Sequence, residues 1–104
     1  MIHGGGWKKL ENRKIDNNLF KKKLNIKLNV LKICNYYGMI EQTGSIFTEC
    51  NSGYFHTTPF SDIFIRGDNL QVLDYNKKGI IQLVSLIPTS YPGHNILTED
   101  LGVI

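Results

Sequence analysis

The stretch VLKICNYYG, residues 30–38, carries the strongest indication of the fold. Residues 30–36 are apolar on nearly both faces, a pattern typical of a strand that is covered on both sides in the middle of a sheet. The run ends at Tyr37-Gly38, where the glycine permits a sharp turn. The sequence therefore predicts a buried central strand that ends in two aromatic rings and then turns.

A helix is predicted immediately before this strand, at residues 17–28. Asp16 is a good N-cap, and Ile15 and Phe20 occupy the two positions of a hydrophobic staple. Apolar residues then recur at helical spacing, namely Phe20, Leu24, Leu28 and Leu31. We expect this helix to pack on the strand.

After Gly53 the pattern changes to short strands that are separated by turn residues. The predicted strands are residues 62–66, 70–73 and 79–86, with Gly67-Asp68-Asn69 and Asn76-Lys77-Lys78-Gly79 as connectors. This arrangement predicts an antiparallel meander. The remaining segments are predicted to be loops, namely the glycine-rich start, residues 38–53, and the tail at 88–102 with its Pro92-Gly93 turn.

These elements place the chain in the mixed α/β (α+β) class, with a helix on a strand from a larger sheet, followed by a small antiparallel β meander. A chain of 104 residues forms at most one domain. It opens on a loop that would normally follow a strand, and it stops at Gly102-Val103-Ile104 without a closing element. We therefore expect residues 1–104 to be a single partial domain.

Composition and charge exclude several protein classes. A hydrophobic content of 41% and a charged content of 20% are ordinary globular values, which argues against a disordered chain. No apolar run approaches the roughly 20 residues that span a bilayer, and there is no secretory signal, so we expect no membrane span and a cytoplasmic location. Nine Lys/Arg and two acids lie in residues 1–32, but Lys21, Lys22 and Lys23 fit a solvated helix face better than a nucleic-acid site.

Cys34 and Cys50 are expected to be free thiols, because a cytosolic chain with so few cysteines keeps them reduced. Cys50 with His56 suggests either a nucleophile–base pair or two ligands of a zinc ion. Two ligands are too few for zinc, and nothing in the sequence near Cys50 would obviously lower the pKa of its thiol, so a structural thiol is preferred. Arg66 has two open roles, facing a nucleotide or pairing with a nearby aspartate.

Three separated stretches have the character of a ligand site. HGGGWKK, residues 3–9, lacks side chains at three successive positions, so its backbone N–H groups are able to approach a ligand closely. YGMIE, residues 37–41, and LTEDLG, residues 97–102, each place an acid close to a glycine. Alone, each stretch fits an ordinary turn, and HGGGWKK matches neither of the common glycine-rich phosphate patterns. Their order along the chain is more informative.

Taken together, the three stretches resemble the adenylate-forming enzyme superfamily, and most closely the acyl-protein synthetase (LuxE-type) family of bacterial luminescence systems. The likeness covers nearly the whole chain but only a middle-to-late segment of the family's large domain. It implies an ATP-dependent ligase that activates a carboxylic acid, such as a fatty acid, as acyl-AMP and passes the acyl group to a thiol. The implied cofactors are ATP/AMP and Mg²⁺. The implied partners are the acid, the nucleotide, and either an acyl-accepting protein, coenzyme A or the missing part of the enzyme.

The resemblance also implies roles for individual residues. Tyr37 would stack on adenine, with Tyr36 on the other face of the strand and Gly38 completing the motif. Glu41 would be the catalytic carboxylate that holds Mg²⁺ against the phosphates, and Asp100 would accept hydrogen bonds from the ribose hydroxyls. The residues beside the adenine and acyl pocket would be Gly4, Gly5 and Gly6.

The chain departs from the family pattern at several positions. Ile40 stands where the superfamily usually has a Thr or Ser that contacts the phosphate, Thr43 is the hydroxyl close to it in sequence, and Glu99 replaces a frequent Gly. These 104 residues also contain neither the Ser/Thr/Gly-rich phosphate loop nor the small domain with the catalytic lysine, so we expect no appreciable turnover by the chain alone. A second hypothesis therefore stays open, a non-catalytic interaction module or remnant that folds beside another polypeptide.

Overall fold

The computed structural model describes residues 1–90 and 93–104. In that part of the chain there are one α-helix, two short 3-10 helices and seven strands. The strands are β1 (Ile2–Gly4), β2 (Cys34–Tyr37), β3 (Phe47–Glu49), β4 (Phe55–His56), β5 (Ser61–Arg66), β6 (Gly79–Ser85) and β7 (Asn95–Gly102). The helices are α1 (Asn17–Leu28) and the 3-10 helices Lys8–Arg13 and Ile40–Gln42. The predicted mixed α/β class is confirmed.

The strands form two sheets. The first has the order β1-β2-β3-β4, with β1 parallel to β2 and β3 antiparallel to β4. The second has the order β5-β6-β7 and is antiparallel throughout. The chain divides into two compact units, which we name the α1 unit (residues 1–37 and 48–56) and the meander unit (residues 38–47 and 57–104).

The helix α1 begins and ends where the sequence predicted. Asp16 Oδ1 accepts hydrogen bonds from the backbone N–H groups of Asn18 (2.8 Å) and Leu19 (3.3 Å). These bonds satisfy donors that the first turn of a helix leaves unpaired. The helix ends at Asn29, which takes the left-handed conformation with φ of 51°.

β2 starts at Cys34, later than predicted, although it does lie between β1 and β3 in its sheet. The side-chain amide of Asn25 donates to the carbonyl oxygen of Val30 at 2.9 Å, so the residues after α1 form the exit from the helix instead of a strand. Leu31 is 93% exposed, and every residue of β2 is at least partly exposed. The prediction of a strand buried on both faces is therefore wrong.

Further strands of the first sheet lie in segments that were predicted to be loops. β1 occupies part of the glycine-rich start and pairs with β2, and β3 lies inside the predicted loop at 38–53. β1 and β3 have three residues each, and β4 has two. Strands this short show too few alternating positions for a period to be recognised.

The meander has three strands, but one of them is not the strand that was predicted. β5 and β6 agree with the prediction to within one residue at each end. Residues 70–73 form only an isolated bridge from Val72 to Arg66, because Leu70, with φ of 61°, turns the chain back. The third strand is β7, in the tail predicted to be a loop, so that prediction is wrong; Pro92 of the predicted Pro92-Gly93 turn lies outside the described residues.

The core of the meander unit contains apolar side chains and a group of serine hydroxyls. Its buried apolar side chains are Phe47, Ile65 and Leu83, each at most 3% exposed. Ser85 Oγ lies 2.8 Å from Ser45 Oγ and 2.9 Å from Ser61 Oγ. These hydroxyls satisfy one another, so their burial leaves no unpaired polar group among them.

Candidate functional site

The glycine stretch and the tyrosines meet in the first sheet. Parallel pairing places Gly4 opposite Tyr36, and a Cβ added to Gly4 would lie 2.5 Å from Cε1 of the Tyr36 ring. Any side chain at this position would displace the ring. Gly5 has φ of +93°, a conformation that L-residues with side chains rarely adopt. Gly4 and Gly5 are thus required for two different reasons, close approach and backbone conformation.

The two tyrosines of β2 point to opposite faces of the sheet, as alternation along a strand requires. Tyr36 is 37% exposed and lies against Gly4. Tyr37 is half-buried, and its ring centroid lies 6.4 Å from that of Phe55 at an interplanar angle of 56°. The structure therefore brings the glycine stretch to Tyr36, whereas the family resemblance gives the adenine-stacking role to Tyr37.

Glu41 lies in the 3-10 helix that follows Gly38, and its side chain is exposed. Ile40 beside it is 91% exposed, so an apolar side chain occupies the surface where the family pattern has a hydroxyl. Thr43 Oγ1 donates to the carbonyl oxygen of Ile40 at 2.8 Å. Since a hydroxyl has a single proton to donate, Thr43 in this conformation has none left for a phosphate.

Asp100 lies in an irregularity of β7 and not in a loop. The register of β6 and β7 shifts at Ile81, which alone faces residues 98–100. Thr98 Oγ1 donates to the carbonyl oxygen of Ile81 at 2.9 Å and accepts from the N–H of Asp100 at 3.1 Å. Bulges redirect side chains away from the directions that regular alternation imposes, and here both Glu99 and Asp100 are exposed.

The predicted site residues fall in both units. The α1 unit holds Gly4, Gly5, Gly6, Tyr36 and Tyr37, and the meander unit holds Gly38, Glu41 and Asp100. Within the meander unit, Gly93 precedes β7 and packs closely on the turn that carries Glu41, since a Cβ at Gly93 would lie 2.7 Å from the Glu41 carbonyl oxygen. Within the α1 unit, the contact between Gly4 and Tyr36 joins two of the predicted stretches.

A buried carboxylate that the sequence reasoning missed organises the α1 unit. The Glu49 side chain is 3% exposed and accepts hydrogen bonds from Lys21 Nζ (2.6 Å), Asn17 Nδ2 (3.0 Å) and the Asn35 N–H (2.9 Å). Burial alone would raise the pKa of Glu49, but these hydrogen bonds and the Lys21 charge outweigh it and leave the pKa lowered. The sequence pattern that could have indicated this buried carboxylate is the position of Glu49 two residues after Phe47, which places both side chains on one face of β3.

His3 lies in the same region, and its surroundings favour the neutral imidazole. Burial and the charge of Lys21 lower the pKa of His3, and Glu49 opposes them. The imidazole ring centroid lies 5.0 Å from that of Phe20, and Nε2 is buried without a hydrogen-bond partner among the described residues. Lys21, whose side chain is 23% exposed, therefore interacts with two titratable groups and is not part of a fully solvated face.

The structure shows the contacts of Arg66 and the state of the two cysteines, which the sequence left open. Arg66 donates from Nε to Gln82 Oε1 at 2.6 Å and from Nη1 to the carbonyl oxygen of Leu70 at 3.0 Å, which engages its guanidinium within the meander. Both cysteines are free thiols. Residues 1–90 and 93–104 contain no group of three or more His, Cys, Asp or Glu side chains that could hold a metal ion. The same residues include no helix with the length and apolar content needed to cross a bilayer.

Comparison with known proteins identifies the family. No curated protein and no solved structure matches the chain. A family model described as "Acyl-protein synthetase, LuxE" matches residues 1–104, which is the whole chain. The resemblance carried by the glycine stretch, YGMIE and LTEDLG is confirmed at the level of the family. The chain therefore belongs to the LuxE family of acyl-protein synthetases.

Proposed function

We propose that this chain forms part of the nucleotide site of an ATP-dependent acyl-protein synthetase, which activates a carboxylic acid as acyl-AMP and passes the acyl group to a thiol. The observation that carries the proposal is the family match over residues 1–104. Two local features support it, the ring of Tyr36 packed on Gly4 and the bulge that carries Asp100.

The base and the sugar are the parts of the nucleotide that these residues suit. A tyrosine ring at the end of β2 stacks on adenine, which contributes about 1–3 kcal/mol per base. We assign this role to Tyr37, and Tyr36, which is 37% exposed, is the competing ring. The Asp100 carboxylate accepts hydrogen bonds from the ribose hydroxyls, a role that its exposed position in β7 permits.

Glu41 fits a supporting role toward Mg²⁺. Its exposed carboxylate supplies one hard oxygen ligand, and no larger ligand group is present in the described part of the chain. This matches the usual binding of Mg²⁺ through one or two carboxylates together with substrate phosphates. When bound, the ion offsets phosphate charge. Glu41 itself orients one oxygen toward that position, while Ile40 adds no hydrogen bond there.

The expected affinity of the chain for nucleotide is low. Residues 1–104 contain no Ser/Thr/Gly-rich phosphate loop, so base stacking and ribose contacts supply the binding energy. A dissociation constant near 1 mM corresponds to about 4 kcal/mol, which these contacts are able to provide. We infer that acyl transfer requires phosphate contacts and a catalytic lysine from residues other than these, so the chain alone does not turn over.

The test is titration of the full chain with AMP, followed by NMR chemical shifts. We expect shifts at β2 and near Asp100, with a dissociation constant on the order of 1 mM. Tyr37→Ala should weaken binding about 10-fold, as expected for loss of one stacked ring. Tyr75→Ala removes a ring that is 77% exposed and lies outside the proposed site, and should leave binding unchanged. Equal binding by the Tyr37→Ala and Tyr36→Ala variants and the parent would refute the assignment of the base site.

A second function, a non-catalytic interaction module, is favoured by a specific observation. Ile40, Leu31 and Leu86 are 91%, 93% and 85% exposed, whereas Phe47, Ile65 and Leu83 are the buried apolar side chains. A second polypeptide that covered these side chains would remove their apolar surface from water, which is favourable. Sedimentation of the purified chain with a pull-down from the native cell tests this: a stable monomer without a partner would exclude the module, and nucleotide-independent capture of one partner would favour it.

A further inference from the structure

The β3–β4 hairpin places a cysteine and a histidine on one face. Thr48 pairs with His56 across the hairpin, and the N–H of Cys50 donates to the carbonyl oxygen of Tyr54 at 2.8 Å. Because side chains alternate along paired strands, Cys50 and His56 are diagonal neighbours on this face, while Glu49 points to the other one. The hairpin is closed by a hydrogen bond from the Gly53 N–H to the Cys50 carbonyl oxygen at 3.0 Å.

The groups that lower the pKa of the Cys50 thiol are hydrogen-bond donors. The donors are the His56 imidazole and the backbone N–H groups of Tyr54 and Ser52. They outweigh the opposing effect of desolvation and lower the pKa of the Cys50 thiol from 9.0 to about 7. His56 is the titratable group facing this sulfur. The site is also accessible, since Cys50 is partly exposed and His56 is exposed.

Cys34 provides the opposite case within the same unit. Its Sγ donates to the carbonyl oxygens of Glu49 at 3.0 Å and of Asn35 at 3.3 Å. Carbonyl oxygens thus lie around the Cys34 thiol, whereas hydrogen-bond donors act on the Cys50 thiol. Since the thiolate is the nucleophilic form of cysteine, these surroundings predict reactivity at Cys50 and not at Cys34.

We propose that Cys50 is a nucleophilic thiolate, activated by His56 across the β3–β4 hairpin, that undergoes thiol–disulfide exchange with small-molecule disulfides. The Cys50 sulfur attacks one sulfur of the disulfide RSSR in line with its S–S bond. A new bond forms between Cys50 and that sulfur, and the other half leaves as the thiolate RS⁻. Cys50 is oxidised to a mixed disulfide, the leaving half is reduced, and the thiol proton has passed to His56 or to water.

The test uses the full chain with oxidised glutathione or an aromatic disulfide reagent, read by intact-mass spectrometry. We expect one adduct, at Cys50, which Cys50→Ser abolishes and the matched Cys34→Ser variant retains. The rate should follow a titration with a midpoint near the pKa of about 7. An adduct chiefly at Cys34, or a midpoint near that of an unstructured cysteine peptide at about 8.5, would overturn the proposal.

The His56→Gln variant provides a second measurement, the pH dependence of the reaction rate. Unfolding alone would not produce the opposite rate changes that are expected at low and high pH. For each unit by which the pKa of Cys50 rises, the thiolate fraction at pH 6 falls about tenfold while the nucleophilicity of the thiolate rises about threefold. The variant should therefore react about 3-fold more slowly at pH 6 and about 3-fold faster at pH 9.5. A circular dichroism spectrum like that of the parent checks folding. Parallel rate profiles for parent and variant would show that His56 does not activate Cys50.

Discussion

Different kinds of interaction stabilise the α1 unit and the meander unit, each within itself. In the α1 unit, the side chain most fully withdrawn from water is the carboxylate of Glu49, which gathers Lys21, Asn17 and Asn35. In the described part of the meander unit, the buried side chains are apolar or are polar without charge, such as Leu83, Ser85 and Gln42. Stability of the α1 unit therefore depends on protonation and ion pairing, whereas that of the meander unit depends on close packing.

The largest expected effect is the loss of a packed side chain from the meander unit. Leu83 is 1% exposed, and Leu83→Ala should lower the free energy of unfolding by about 2–5 kcal/mol, because the cavity adds to the lost hydrophobic burial. Denaturant unfolding measures the change, and hydrogen exchange locates it. Faster exchange confined to β5, β6 and β7 would show that the meander unit unfolds separately. Equal acceleration in α1 would contradict this, since the two units would then unfold together.

A smaller effect is expected from the carboxylate of the α1 unit. Glu49→Gln keeps the shape of the side chain but removes the charge that Lys21 contacts at 2.6 Å, at a cost of about 1–3 kcal/mol. The matched control is Glu11→Gln, which removes an exposed pair with Lys14 (side-chain exposure 58% and 61%) and should change stability by about 0–1 kcal/mol. Similar losses for the two variants in urea unfolding would show that Glu49 has no structural role.

The smallest effect on stability is expected from a change of pH. The pKa values of His3 and Glu49 are both lowered in the folded chain, so the unfolded chain binds more protons and stability increases with pH. The contribution of His3 is complete above its ordinary pKa of 6.5 and is lost as the pH falls below it. That of Glu49 is complete above 4.5 and is lost at lower pH.

Hydrogen exchange from pH 7.5 to about pH 3 should therefore show α1 losing protection before β6 does. The Glu49→Gln variant should lack the step at the lowest pH and keep the one near neutrality. Simultaneous loss of protection in α1 and β6, in the parent and the variant alike, would contradict the assignment of these groups to one unit.

The elements that could be predicted from the sequence, α1, β5 and β6, are those specified by residues close together in the chain. The Asp16 cap acts on N–H groups two and three residues away, so the start of α1 was readable from neighbouring residues. The same is true of β5 and β6, whose apolar residues are consecutive. β7 was missed because Glu99 and Asp100 disfavour strands, and its pairing with β6 comes from a distant part of the chain.

The candidate site was predictable only in part, for a related reason. The family motifs named Tyr37, Glu41 and Asp100, but their geometry follows from pairing that the motifs do not encode. The contact of Lys21 with Glu49 spans 28 residues and has no sequence period. The donors around Cys50 arise from the hairpin turn, so the sequence suggested an ordinary thiol where the fold lowers its pKa to about 7.

The aromatic contact at the start of the chain has a practical consequence. Trp7 is the single tryptophan of the sequence, and its ring meets that of Phe20 edge-on, with centroids 6.0 Å apart and planes at 78°. Both residues belong to the α1 unit. Indole fluorescence therefore reports unfolding of that unit alone. A second spectroscopic label in β6 would report unfolding of the meander unit separately.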